Sequence, residues 1–212
     1  MHPWFSRITD DKTKKIDLSS LDFPDFIVFD LDPYIYSGKE KKGQEPEFNI
    51  KGFKATIEIA FSLKDMLDQM NVKSFVKTSG KTGLHIFISI IHDFSHIQTR
   101  AFATILAQIL VKKNPDKITT EWNTAKRKGK VFFDHNQNAR GKTISSVYSA
   151  RPTKSATVSM PVRWNKLDSI IPIDFTMLSV PKILDKEKDL WEEIYDRKQN
   201  VAKIIENVSS LK

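Results

Sequence analysis

The sequence predicts an α+β fold in which a mostly antiparallel sheet is flanked by helices. Three observations carry this. The apolar run Ile27-Val28-Phe29 enters the acidic stretch Asp30-Leu31-Asp32-Pro33 as a strand enters a turn. Segments 52–70 and 95–113 place apolar residues at three- and four-residue steps, the period of a helix. Between them, 72–78 and 84–91 read as strands joined by Ser79-Gly80-Lys81-Thr82-Gly83, a short glycine-bearing link that suits a hairpin. The order β-α-β-β-α-β-β-β-α points to an α+β or mixed α/β sandwich. Its hairpins argue against a doubly wound sheet.

Residues 1–25 read as irregular, with Trp4 and Phe5 pinning the N-terminus to the body and Pro24 preceding a strand over 26–32. The glycines, Pro46 and mixed charges of Tyr34–Pro46 mark an exposed loop whose lysines are either solvated or in reach of a phosphate backbone. In 52–70, Phe53, Ile57, Ala60, Leu63, Leu67 and Met70 form a core stripe. In 95–113, Ser95 and Gln98 match a capping box, and Ile97, Ala101, Ile105 and Ile109 are expected to face inward. Lys112 and Lys113 suit the negative end of that helix, and Pro115 blocks its continuation. Val131-Phe132-Phe133 reads as a strand running into Asp134, followed by the polar and basic loop Asn136–Lys142. Strands are expected at 144–150 and 156–164, joined by Arg151-Pro152-Thr153-Lys154, and a shorter one near 173–178. Segment 186–208 reads as an amphipathic helix docking on the sheet through Leu190, Trp191, Ile194, Val201, Ile204 and Val208.

A chain of 212 residues is one domain with room for a proper core. Lys plus Arg number 34 against 26 acids, a net charge of +8. That excess favours a polyanionic partner (nucleic acid, nucleotide or an acidic membrane surface), although solubility alone also explains it. No apolar run reaches the length of a membrane span, and Met1-His2-Pro3-Trp4-Phe5 lacks the basic start and long apolar segment of a signal peptide. The absence of cysteine excludes disulfides and thiolate zinc sites and fits a cytoplasmic location. Two Gly-Lys-Thr tripeptides occur, at 80–82 and 141–143, but Phe75 and Asn136 stand where a P-loop needs its first glycine.

Asp30 and Asp32 share one face of their strand, close to the core that the apolar run implies. Two neighbouring carboxylates repel, and a hard divalent cation compensates them while leaving sites open for phosphate. The alternative is a strand ending in a solvated Asp-rich turn. Asp134, after its own apolar strand, is a third carboxylate of the same kind or another turn residue. In the turn 79–85, the glycines let backbone N–H groups approach phosphate, Ser79 offers a hydroxyl, and Lys81 and His85 offer charge or hydrogen bonds. A histidine on an apolar strand can equally be a satisfied structural residue. Arg140, Lys142, Arg151 and Lys154 follow Asp134 in positions able to meet phosphates, or serve as surface charge.

Taken in order, Phe29-Asp30-Leu31-Asp32-Pro33, Lys77–His85, Asp134–Thr143, Tyr148–Pro152 and Ala156–Trp164 resemble the polymerase domain of bacterial DNA ligase D and related archaeal end-joining polymerases. His2-Pro3-Trp4-Phe5-Ser6-Arg7 extends the match upstream, so that it covers nearly the whole chain. These proteins belong to the archaeo-eukaryotic primase superfamily. The resemblance implies a primase-polymerase-like catalytic core. It implies a nucleotidyltransferase that adds ribo- or deoxyribonucleotides to a primer 3′ end by a two-metal mechanism during non-homologous end joining. Asp30, Asp32 and Asp134 would be the catalytic, metal-binding carboxylates for two Mn2+ or Mg2+ ions. Ser79 and His85 would bind the incoming triphosphate with help from Arg151, and Lys81, Gln137 and Arg140 are further nucleotide-binding candidates. The implied partners are DNA primer-templates or broken ends, nucleoside triphosphates, a DNA ligase and Ku, with no membrane.

One departure stands out. In that family the motif like His2-Pro3-Trp4 follows a sizeable N-terminal region that supplies basic residues for nucleotide contact and for reading a 5′-phosphate. The expectation here is a catalytic domain over residues 1–212 without that region. The loop from Tyr34 to Phe48 is also longer and more charged than the resemblance leads one to expect. Two other readings follow: a non-catalytic DNA- or nucleotide-binding subunit completed by a partner chain, or a metal-dependent nuclease.

Overall fold

The strand β3, Phe26–Asp32, fixes the architecture because its side chains alternate between two unlike environments. Ile27, Phe29 and Leu31 point to one face and are fully buried there, while Val28, Asp30 and Asp32 point to the other. The computed structural model describes residues 1–10, 16–33, 36–37 and 49–207, so most of the expected Tyr34–Pro46 loop lies outside the described residues.

Six strands form one sheet in the order β6-β7-β3-β5-β4-β8, where β4 is Phe75–Thr78, β5 Leu84–Ser89, β6 Ile118–Thr119, β7 Val131–Asp134 and β8 Pro161–Val162. All its pairings are antiparallel except β6 with β7. A separate two-strand ribbon, β1 (Thr9–Asp10) with β2 (Ile16–Asp17), lies in the N-terminal segment. The expected hairpin is present: β4 and β5 pair around the turn 79–83, with Thr78 opposite Leu84.

Two helices cover one face. The helix α1, Ile50–Gln69, buries Phe53, Ile57, Ala60, Leu63 and Leu67, and Met70 just beyond its end is buried too, as the stripe predicts. The helix α2, His96–Lys113, starts at Ser95 with the capping box to Gln98 in place. Its inward face differs from the expectation. Ile97 and Ile105 are exposed, whereas Thr99, Phe102, Ala103, Leu106, Ala107 and Leu110 are buried. Apolar rows run along both sides of this helix, and the row with the bulkier Phe102, Leu106 and Leu110 is the one that fills the core.

The second half is less regular than expected. Segments 144–150 and 156–164 share an isolated bridge, Ala150 to Val158, and Pro161–Val162 of the second segment is the strand β8, which pairs with β4 instead. Left-handed backbone at Tyr148 (φ 59) and Ala156 (φ 47) interrupts both. Near 173–178 there is a 3-10 turn, Pro172–Asp174, and one bridge from Thr157 to Thr176 instead of a strand. The long C-terminal helix is replaced by α3 (Val180–Glu187), a 3-10 turn (Glu192–Ile194) and α4 (Val201–Asn207). Lys188 at φ 58 ends α3, and the Asp189 carboxylate then accepts the Trp191 N–H at 2.9 Å. Part of the docking surface survives this change: Ile204 is buried in the larger core, while Val208 lies outside the described residues. Trp191 and Ile194 join Phe5, Val28, Phe75, Phe87 and Ile144 in a second, smaller core on the face opposite α1 and α2. Phe5 is buried edge-on to Phe87, whereas Trp4 remains 47 % exposed. Among the described residues no helix is long and apolar enough to cross a membrane.

Candidate active site

Strand register assembles the site. Asp30 pairs with Asp134 on one side and with His85 on the other, and His85 pairs in turn with Lys77. Directly opposed residues point to the same face, so Asp134, Asp30, His85 and Lys77 form a row across four strands. Asp32 joins the row's face two residues beyond Asp30. This face lies beside the smaller core, away from α1 and α2.

The three carboxylates are close enough to oppose one another's charge. Burial, and then the neighbouring Asp32 and Asp134, push the Asp30 carboxyl well above its ordinary range; Lys77 and a hydrogen bond from Gln137 offset this in part. Burial also raises Asp134, against the Asn136 backbone N–H that donates to its Oδ1 at 2.9 Å. Asp32 Oδ1 accepts from the Thr82 hydroxyl at 2.9 Å. As the side chains stand, no group of three or more His, Asp or Glu among the described residues is gathered tightly enough to hold a metal ion. The donor set still fits one. Three carboxylates from adjacent strands share one face, and their mutual repulsion is what a hard divalent ion relieves.

Beside the carboxylates lies a cationic wall. Lys77 is fully buried, with Nζ 2.7 Å from His85 Nδ1 and donating to Ser159 Oγ at 2.5 Å. His85 Nε2 stands 3.6 Å from Asp30 Oδ1. Burial, followed by Lys77, Arg151 and His2, depresses the His85 imidazole well below its usual range, so this contact is between a neutral ring and a carboxylate rather than an ion pair. Arg151 Nη1 reaches His2 Nε2 at 3.0 Å, and its buried Nε has no hydrogen-bond partner among the described residues.

The turn between β4 and β5 is held against these groups by two glycines. A Cβ on Gly83 would lie 2.1 Å from the Leu31 carbonyl oxygen, so only glycine lets the turn rest on the end of β3. Gly80 has φ +73, and a Cβ there would lie 2.5 Å from the Arg151 side chain. Ser79 Oγ accepts from the N–H groups of Lys81 and Gly83, each at 3.1 Å, which leaves its own proton to donate.

After β7 the chain turns through the 3-10 segment His135–Asn138. The Asn138 amide takes the place of a strand partner, accepting from Val28 N–H at 2.8 Å and donating to Val28 C=O at 2.7 Å. His96, at the start of α2, contacts Asn138 O at 2.9 Å through Nδ1 and Ser6 Oγ at 2.9 Å through Nε2. These contacts set Gln137 beside Asp30, with its Oε1 buried and without a hydrogen-bond partner among the described residues.

Of the residues singled out from sequence, Asp30, Asp32, Asp134, His85, Gln137 and Arg151 therefore come together, and Ser79 stands in the turn that joins β4 to β5. Lys81 is exposed on the turn, and Arg140 forms an ion pair with Asp22 at 2.7 Å beside α2. Lys77, His2, Thr82 and Ser159 belong to the site although no role was read for them. For Lys77 a signal existed, namely a lysine in an apolar hairpin strand at the same distance from the turn as His85.

The family model described as "LigD, primase-polymerase domain" matches residues 1–191. The multifunctional non-homologous end joining protein LigD of Pseudomonas aeruginosa is 27 % identical over 188 residues, 87 % of this chain and 21 % of that protein. The bifunctional non-homologous end joining protein LigD of Bacillus subtilis is 30 % identical over 150 residues, 70 % of this chain and 24 % of that protein. The chain thus spans about a quarter or less of the length of these relatives. The polymerase domain of Mycobacterium tuberculosis ligase D, solved in complex with DNA, is similar with a TM-score of 0.77 and 25 % identity, over 93 % of this chain and 63 % of that one. The chain belongs to the LigD primase-polymerase domain family.

Proposed function

We propose that residues 1–212 act as a metal-dependent nucleotidyltransferase that extends a DNA primer 3′ end from nucleoside triphosphates in non-homologous end joining. The observation that carries this is the register that sets Asp134 directly opposite Asp30, with Asp32 on the same face and His85 on the other flank. Asp30, Asp32 and Asp134 would hold two Mg2+ or Mn2+ ions, which lower the pKa of a primer hydroxyl and neutralise the triphosphate and leaving pyrophosphate.

The chain's own groups do the rest. His85 and Arg151 stand beside Asp30, and with the Ser79 hydroxyl of the neighbouring turn they would hold the oxygens of a triphosphate. Gln137, already bonded to Asp30, keeps that carboxylate oriented. Lys81 and Arg140 lie further out, where they suit contact with the DNA backbone. By the same reading the domain works with a DNA ligase and Ku in the cytoplasm, as the end-joining names of its relatives suggest. The phosphate-facing set of Ser79, His85 and Arg151 favours polymerisation over nuclease chemistry, which has no triphosphate to hold.

The test is primer extension on gapped DNA with each sugar type and each metal. Extension is expected only with metal and triphosphate together, and Asp30→Ala is expected to abolish it while the circular dichroism spectrum is unchanged. Full activity in that variant would refute the assignment, and nucleotide release from DNA without triphosphate would favour the nuclease.

A further inference from the structure

Lys77 sits in the middle of β4 with no exposed surface, on the face that carries the carboxylates. A buried ammonium is poor evidence of stabilisation, because a well-packed apolar residue of similar volume does as well or better. Its neighbours define another task. Nζ donates to Ser159 Oγ at 2.5 Å, and the Ser159 hydroxyl proton is committed to the Thr78 carbonyl at 2.8 Å. That oxygen can therefore only accept from Lys77. The Phe87 ring covers another side, with its centroid 5.8 Å from Nζ. The remaining neighbour is His85 Nδ1 at 2.7 Å. Burial lowers the Lys77 pKa and the charge of Asp30 opposes that shift; held as an ammonium, Nζ has three donors and no lone pair, which sets Nδ1 as the acceptor and the single ring proton on Nε2. Nε2 is the nitrogen that faces Asp30, 3.6 Å from its Oδ1.

We propose that Lys77 is a positioning residue that locks His85 in its Nε2–H tautomer, so that a neutral ring presents a donor to a phosphate oxygen of the bound nucleotide. The other tautomer would aim a lone pair at Asp30 and at the phosphates, and both are acceptors. Ser159, backed by Ser145 Oγ at 3.4 Å, holds the lysine at the angle this requires. The proposal rests on the reading of His85 as a phosphate ligand, yet the tautomer itself is measurable without nucleotide.

The experiment uses the full chain labelled with 15N, at neutral pH, without metal or nucleotide. Long-range proton–nitrogen spectra of His85, assigned with His85→Gln, are expected to show Nε2 protonated and Nδ1 bare. Lys77→Met is expected to lose this pattern and to raise KM for the nucleoside triphosphate about tenfold with a smaller change in kcat. Lys77→Gln, whose amide can still donate to Nδ1, is expected to restore both. A proton on Nδ1 in the parent chain overturns the proposal, as does Lys77→Met with the parent's tautomer and KM. If Lys77→Met does not fold, the parent spectrum and the Lys77→Gln spectrum decide the matter. A parent chain that shows the Nε2–H tautomer but extends no primer would instead refute the polymerase reading and leave the tautomer assignment standing.

Discussion

The two faces of the sheet are made from alternate residues of the same strands, yet they obey opposite rules. On the helical face, Ile27, Phe29, Leu31, Val76, Leu84, Ile86 and Ile88 pack under α1 and α2, and almost none has solvent contact. Each such side chain contributes about 1.5–3 kcal/mol by leaving water. On the other face the smaller core around Phe87 and Trp191 covers only part of the sheet. The rest carries Asp134, Asp30, His85 and Lys77, whose charges are each made less favourable by burial. One face holds the strands in register, and the other uses that register to force together groups that would otherwise separate.

The strongest way to break this comparison is to alter one residue on each face. Asp134→Ala is expected to lower the rate of primer extension about a thousandfold or more, by removing a carboxylate proposed to hold metal, while relief of its burial cost offsets the lost hydrogen bond to Asn136. Its thermal midpoint is expected to stay level or rise. Leu31, the fully buried residue between Asp30 and Asp32, should do the reverse. Leu31→Ala is expected to cost about 3 kcal/mol in urea unfolding, with kcat per folded molecule largely retained. If Asp134→Ala unfolds the protein or Leu31→Ala alone kills the folded enzyme, the division of labour between the faces is wrong.

The helical face was readable from the sequence because its signal is local. Apolar spacing alone marks α1, the strand 26–32 and the hairpin, and the Ser95–Gln98 pair marks the start of α2. Spacing failed where two apolar rows competed, as with Ile97 and Ile105 against Phe102 and Leu106. It also failed after residue 143, where Pro residues and left-handed turns at Tyr148, Ala156 and Lys188 override the pattern. On the other face the carboxylates were legible as residue types after apolar strands, and the family resemblance joined them. What could not be read was their pairing across strands about 100 residues apart, or the roles of Thr82 beside Asp32 and of His2 beside Arg151. Both are tertiary properties.

A pH series sharpens the contrast. The Asp30 carboxyl is raised in the folded chain, chiefly by burial and then by Asp32 and Asp134. Between the ordinary carboxylate pKa and the raised one, the folded state binds more protons than the unfolded state, so this group's contribution falls as pH rises. Lys77 and His85 are depressed and contribute with the opposite slope, so the parent profile alone is a mixture. The difference between Asp30→Asn and the parent isolates the carboxylate. Without metal, that difference is expected to be small at acid pH and to grow into a stabilisation of the variant as the pH rises towards neutral. Lys77 loses a favourable neighbour in the variant, which limits the gain. Adding Mn2+ is expected to raise the midpoint of the parent and to leave Asp30→Asn nearly unmoved. A variant less stable than the parent at pH 8 would mean that the carboxylate is compensated in the free protein.

The smallest expected effect separates two threonines. Thr82 donates to Asp32 Oδ1 at 2.9 Å on the charged face. Thr56 donates to the Gly52 carbonyl, also at 2.9 Å, inside α1. Valine replaces either with almost no change in volume, so each substitution removes one hydrogen bond. At Thr56 the lost bond is a second one to a carbonyl already accepting within its helix, and the change is expected to stay within about 0.5 kcal/mol with no effect on rate. At Thr82 the bond fixes the rotamer of a carboxylate proposed to hold metal. Thr82→Val is expected to lower kcat by roughly tenfold, equivalent to about 1.4 kcal/mol, and to raise the Mn2+ concentration needed for half-maximal rate. Stability should be unchanged within error, because releasing Asp32 lets it turn away from Asp30 and relieve their repulsion. Equal behaviour of the two valine variants in the metal titration would place Thr82 with the helical residues and mean that its hydrogen bond does not orient Asp32.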